Sequence, residues 1–135
     1  MTVQLVTASD TESRRAQEAL AAVHTGLFID GQWGDAASGR THDVVNPATE
    51  QVIATIADGG PEDAQRAIEA AAAAQRDWGR TAPRERSEIL RRAYDLIMER
   101  QDDLALIMTS EMGKPLAEAK GEVAYAAEFF RWFSE

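Results

Sequence analysis

Apolar residues along this chain change their spacing twice, and the changes mark three stretches. In the first, Ala16, Ala19, Leu20 and Val23 recur at helical spacing behind Ser9-Asp10-Thr11-Glu12, which has the Ser-x-x-Glu order of a capping box. This predicts a short, marginal helix within an extension covering residues 1–26. From Leu27 the apolar runs shorten to strand length. Leu27-Phe28-Ile29 and Gln32-Trp33 flank Asp30-Gly31, a pair that tolerates the positive φ angles of a tight hairpin turn. A polar loop over Ala37-Ser38-Gly39-Arg40 leads to two further strands, Asp43–Val45 and Gln51–Ile56. They are joined by Asn46-Pro47-Ala48-Thr49-Glu50, where Asn-Pro opens a turn.

After Asp58-Gly59-Gly60 the spacing becomes helical and stays so. Pro61 suits a first helical turn, and Glu62 and Asp63 complement the helix dipole. Ala64, Ala67, Ile68, Ala71, Ala72 and Trp78 share one face, and Gly79 is expected to end that helix. Thr81 is expected to cap the next, whose stripe is Ile89, Leu90, Ala93 and Ile97 with Leu96 beside it. A shorter helix carries Leu104, Ile107 and Met108 and stops at Gly113-Lys114-Pro115. The last stripe is Leu116, Ala119, Val123, Ala126 or Ala127, Phe130 and Phe133.

Five of the nine aromatic residues fall in that final segment: Tyr125, Phe129, Phe130, Trp132 and Phe133. They point to several sides of a helix, so one neighbouring layer cannot cover them all. At about 1.5–3 kcal/mol for each large side chain left in water, the cluster predicts a chain cut short of its full core. It also predicts a marginal chain that binds hydrophobic dyes and self-associates.

Composition narrows the function classes. The net charge of −9, from 14 basic and 23 acidic residues, repels phosphate backbones and anionic membranes, so neither nucleic acid nor a membrane is an expected partner. No window reaches the roughly 20 apolar residues of a membrane span, and Met1 to Asp10 has neither the basic start nor the apolar run of a signal peptide. A cytoplasmic protein is expected. The absence of cysteine removes disulfides, thiolate metal sites and thiol nucleophiles. His24 and His42 have no Cys, Asp or Glu at metal-ligand spacing and read as surface or strand-edge residues. No glycine-rich phosphate loop and no serine nucleophile elbow is present. Arg84-Glu85-Arg86 and Glu99-Arg100 read as solvated helix faces. From the residues alone the chain is a mixed α+β or α/β fragment with no catalytic, cofactor-binding or metal residue.

Several segments then resemble one family, the NAD(P)-dependent aldehyde dehydrogenases. Leu27-Phe28-Ile29-Asp30-Gly31-Gln32-Trp33 is similar to the family's opening hairpin. Val45-Asn46-Pro47-Ala48-Thr49-Glu50-Gln51-Val52-Ile53 is similar to its NPATGEVI stretch, with Glu50 and Gln51 in place of Gly-Glu. Arg84-Glu85-Arg86 leading into Ile89-Leu90-Arg91-Arg92 resembles its RERAxxLRR helix. The run from Glu111-Met112-Gly113-Lys114-Pro115 to Val123, continued by Phe129–Glu135, is similar to the succinate-semialdehyde branch.

The resemblance covers residues 27–135. It implies an α/β protein whose full subunit is αβα with a Rossmann-like cofactor domain, of which this chain is the leading part. It implies oxidation of an aldehyde, succinate semialdehyde in that branch, with NAD or NADP as hydride acceptor, in a homo-oligomer. The family's chemistry uses a cysteine thiolate to attack the aldehyde and a glutamate-activated water to release the acid. The family's Pro-Trp-Asn-Phe-Pro segment, its ribose-binding lysine, its glycine turn and that glutamate all lie downstream. This chain alone is therefore expected to be inactive. Tyr125, and Phe129 one turn on, align with the helix lining the family's substrate tunnel; the competing reading is core packing. Glu111 aligns where some relatives place an acid near a monovalent cation, or it is a solvated helix-end carboxylate. Lys114 reads as a complement to a helix C-terminus. A different class of reading remains: a small helical interaction module that binds a partner through the Tyr125–Phe133 aromatic face.

Overall fold

The structure is a computed structural model that describes residues 8–135, the side chains of residues 8–10 excepted. The Ser9 side chain of the expected capping box, and most of the Met1–Asp10 stretch, lie outside the described residues. Five helices and two short antiparallel strand pairs make up the rest: α1 (Ala8–Ala21), β1 (Leu27–Ile29), β2 (Gln32–Gly34), β3 (Thr41–Val45), β4 (Val52–Ala57), α2 (Pro61–Arg80), α3 (Pro83–Glu99), α4 (Gln101–Met112) and α5 (Leu116–Ser134).

Both strand pairs form where turn chemistry dictates. β1 and β2 pair with Leu27 opposite Gly34 and Ile29 opposite Gln32. Asp30 and Gly31 sit at φ 52° and 75°, the mirror-image turn that matches strand twist. β3 and β4 pair from Thr41–Ala57 to Val45–Val52, with an irregularity between Val44 and Val45. Their turn is closed by Asn46, whose carbonyl accepts from Glu50 N–H at 2.8 Å and whose side-chain Oδ1 accepts from Ala48 N–H at 2.9 Å. Glu50 is forced to φ 58°, a region that costs a residue with a Cβ about 1–2 kcal/mol. Here the family pattern places glycine, and the backbone shows why.

Asp63 fastens these ribbons to the helices. It is 3% exposed. One oxygen accepts from Gly60 N–H and the other from Ala37 N–H, both at 3.0 Å, and Arg66 stands 3.3 Å away. The Gly60 and Ala37 amides hold its carboxyl below the usual carboxylate range; burial opposes them and Arg66 assists. Asp63 thus does more than complement a dipole: it reaches back like the acidic member of a capping box and pins the Ala36–Gly39 loop.

Two expected boundaries move. Gly79 does not end α2, which runs on to Arg80; Thr81 closes it, donating through N–H and Oγ1 to the Asp77 carbonyl, both at 3.0 Å. Thr81 is therefore a stop for α2, and Ala82 with Pro83 starts α3. A lone glycine lowers helix stability by about 1 kcal/mol but does not break the hydrogen-bond ladder, so the chain continued to the next residue able to cap it.

α3, α4 and α5 pack together, α5 lying against both others, and α1 packs on α4. Their shared core is built from small residues: Ala105, Ala119 and Val123, flanked by half-buried Ile97, Met108 and Leu116. α5 turns Ala119, Val123 and Ala127 inward. The expected stripe chose correctly through Val123, resolves to Ala127 over Ala126, and then fails. Its inward line continues through half-buried Arg131 and Ser134, so Phe130 remains 39% and Phe133 71% exposed. Four-residue steps drift slowly around a 3.6-residue helix and carry the seam past both phenylalanines. On α3 the same drift leaves Ile89 and Leu96 outward and turns Leu90, Ala93, Tyr94 and Ile97 inward. α2 is helical as expected, yet its expected apolar face is not covered: Ala64, Ala67, Ile68, Ala71, Ala72 and Trp78 are all exposed.

Candidate functional site

The joint between α4 and α5 sets the geometry of the surface with most chemical character. Gly113 adopts φ 77° and donates its N–H to the Thr109 carbonyl at 2.9 Å, closing α4 with a left-handed cap. Pro115 then opens α5, its carbonyl accepting from Glu118 and Ala119 N–H at 2.9 Å. A Cβ on Gly113 would come within 3.1 Å of Pro47 Cγ, so the β3–β4 turn sits directly on this joint. Lys114 pairs with Glu122 of α5 in addition to its place at the end of α4. Gln101 Nε2 donates to the Lys120 carbonyl at 2.9 Å, and Ser87 Oγ bonds the Ser134 carbonyl, fixing α5 at both ends.

So held, α5 presents Tyr125, Phe129, Trp132 and Phe133 on its outer side, with exposures of 67, 50, 73 and 71%. Tyr125 and Phe129 meet edge to face at 5.2 Å between ring centroids. With Glu128 these residues line an almost wholly apolar groove of about 340 Å³. The structure brings the two expected tunnel residues together and does not pack them into the core of this chain. The groove can receive an apolar body and offers one carboxylate and one phenol for polar contact. Its lining contains no thiol and no imidazole.

The other candidates stay apart. Glu111 is exposed at the end of α4, and among the described residues no group of three His, Cys, Asp or Glu could hold a metal ion. His42 lies exposed on β3, and His24 is exposed and stacks on Trp33 at 4.5 Å. Arg84 and Glu88 form an exposed pair at 3.0 Å, as the helix-face reading expects. The start of α2 after Gly59-Gly60 has the look of a phosphate-binding turn. Its Gly60 N–H is already taken by the Asp63 carboxylate, so these residues do not fit a dinucleotide pyrophosphate. Sequence reasoning missed this role of Asp63; the signal available was an acid three residues after a glycine at a helix start. No helix among the described residues is long and apolar enough to cross a membrane.

Comparison with known proteins agrees with this arrangement. Residues 33–135 match the model of the aldehyde dehydrogenase family. The chain belongs to that family. It is 67% identical over 84 residues to a succinate-semialdehyde dehydrogenase of Paenarthrobacter nicotinovorans, covering 62% of this chain and 19% of the relative. It is 54% identical over 108 residues to a glutarate-semialdehyde dehydrogenase of Pseudomonas putida, covering 80% and 22%. Among solved structures, betaine aldehyde dehydrogenase of Staphylococcus aureus in complex with NAD+ superposes with a TM-score of 0.86 at 33% identity, over 91% of this chain and 25% of that one. The chain spans about a fifth of the length of the curated relatives it matches. The mixed α/β fold and its membership of an oxidoreductase family using NAD or NADP are thus established.

Proposed function

We propose that this chain is the leading part, over residues 27–135, of the cofactor-binding domain of a semialdehyde dehydrogenase, with residues 1–26 as an extension ahead of it. The whole enzyme oxidises an aldehyde carrying a distal acid group, succinate semialdehyde first, and passes the hydride to NAD or NADP. The observation that carries this reading is the match to the succinate-semialdehyde relative at 67% identity. The 135 residues contain no thiol to attack an aldehyde, so the chain alone is inactive. Its contribution to the enzyme is architectural: the α3–α5 bundle holds the Tyr125–Phe129 pair where a substrate tunnel needs an apolar wall. The complete enzyme is a homo-oligomer.

A chimaera tests the reading. These residues replace the matching leading segment of the Paenarthrobacter nicotinovorans relative, and reduced-cofactor absorbance is followed with succinate semialdehyde and each cofactor. The chimaera is expected to turn over and the 135-residue chain is not. Turnover by the short chain would require a nucleophile other than cysteine and would end the proposal. Replacing Tyr125 with Ala in the active chimaera is expected to raise KM for the aldehyde with a smaller change in kcat; an unchanged KM would remove Tyr125 from the tunnel.

A further inference from the structure

The contact between α1 and α4 is built differently from the contact between α4 and α5. Ala16, Ala19 and Leu20 supply its apolar edge and are only half-buried, while Val23 beyond them is 44% exposed. An open groove of about 740 Å³ is lined by Arg14, Arg15, Glu18, Ala19 and Ala22 on the α1 side and meets α4 at Asp103. What spans it is charge. Arg15 Nε donates to Asp103 Oδ1 at 2.8 Å and Nη1 to Asp102 Oδ2 at 3.2 Å, and Lys120 of α5 approaches the other Asp102 oxygen at 2.8 Å. Arg15, Asp102 and Asp103 each keep 44–49% of their side-chain surface in solvent. α1 also precedes the residues that match the family model.

We infer that α1 is a detachable strap, held to the start of α4 by the Arg15 fork and released as a unit by rising ionic strength while α3, α4 and α5 remain folded. Solvent-exposed pairs are screened by salt, and little apolar burial remains to hold the helix once they weaken. A helix of 14 residues is marginal without tertiary support, so release and unwinding are one event. The α4–α5 contact rests on the buried Ala105, Ala119 and Val123, which salt does not screen, so it survives when α1 leaves. The device uncovers Asp103 and the adjoining surface of α4 at high ionic strength and covers them at low.

Hydrogen exchange of the 135-residue chain tests this, with α1 amides read against α4 and α5 amides. Between about 0.02 and about 0.5 M sodium chloride, α1 protection is expected to fall by about five-fold or more while α4 and α5 hold. Arg15→Gln is expected to produce the same loss at low salt and to abolish further salt dependence. Because Arg15 is half exposed, this variant leaves the bundle intact, and Asp103→Asn should reproduce part of its effect. Salt-independent α1 protection would overturn the inference. So would loss of α1 and α4 protection together, or an α1 already unprotected at low salt.

Discussion

The two sides of α5 assign size and burial in opposite ways. The inner side buries Ala119, Val123 and Ala127 at 5% exposure or less, whereas the outer side leaves Tyr125, Phe129, Trp132 and Phe133 at 50% or more. No large side chain among the described residues is fully buried. Small residues on both α4 and α5 let the two helices approach closely, and that closeness excludes bulk from the seam. The rings are left on the exposed side of the helix. Hydrophobicity alone did not choose which residues are covered; helix phase and the reach of α3 and α4 did.

Enlarging the inner side should be the most damaging change. Ala119 is fully buried beside Ala105, and Ala119→Leu forces added methylenes into that seam. A loss of about 1–3 kcal/mol is expected from urea unfolding followed by circular dichroism. A loss under about 0.5 kcal/mol would mean that α4 and α5 part easily and that the small-residue seam does not set their separation. The joint comes next. Gly113→Ala places a Cβ at φ 77° and 3.1 Å from Pro47 Cγ, so about 1–2 kcal/mol should be lost. Since the joint aims both sides of α5, this variant should also broaden the near-ultraviolet signal of Trp132.

The inner side was legible in the sequence as far as Val123, and the outer side was legible only as an excess of rings. The hairpin at Asp30-Gly31 and the stop at Gly113 were readable because each needs a positive φ that few residues supply. Thr81 and Gly79 were misassigned because a polar residue between two helices can serve either one, and only the hydrogen bond to Asp77 decides. Phe133 was misplaced because a stripe read at three- and four-residue steps has two continuations after Ala127. The cap of Asp63 on Gly60 left a local signal that was passed over, but its bond to Ala37 and the Arg15 fork span 26 and 88 residues, a distance at which local spacing carries none.

A gain is expected at the turn that braces the joint. Glu50 at φ 58° carries strain that glycine would not, partly offset by the greater freedom glycine has when unfolded. Glu50→Gly should raise the urea midpoint by the equivalent of about 0.5–1 kcal/mol, without altering the slope. Because Pro47 of this turn rests on Gly113, combining it with Gly113→Ala should give less than the sum of the two effects. Strict additivity would show that the turn and the joint do not communicate.

The smallest stability change belongs to the outer side. Trp132 is 73% exposed, so Trp132→Ser removes little that folding uses. Serine and tryptophan have similar helix propensities, and the unfolding free energy should stay within about 0.5 kcal/mol. Function of the face should respond all the same. Wild-type chain is expected to enhance the fluorescence of a hydrophobic dye and to sediment partly as larger species, and Trp132→Ser to reduce both. Pairing it with Phe133→Ser should deepen that effect while the midpoint barely moves. If stability falls as steeply as it does for Ala119→Leu, the outer side is a second core and the contrast between the two sides of α5 disappears.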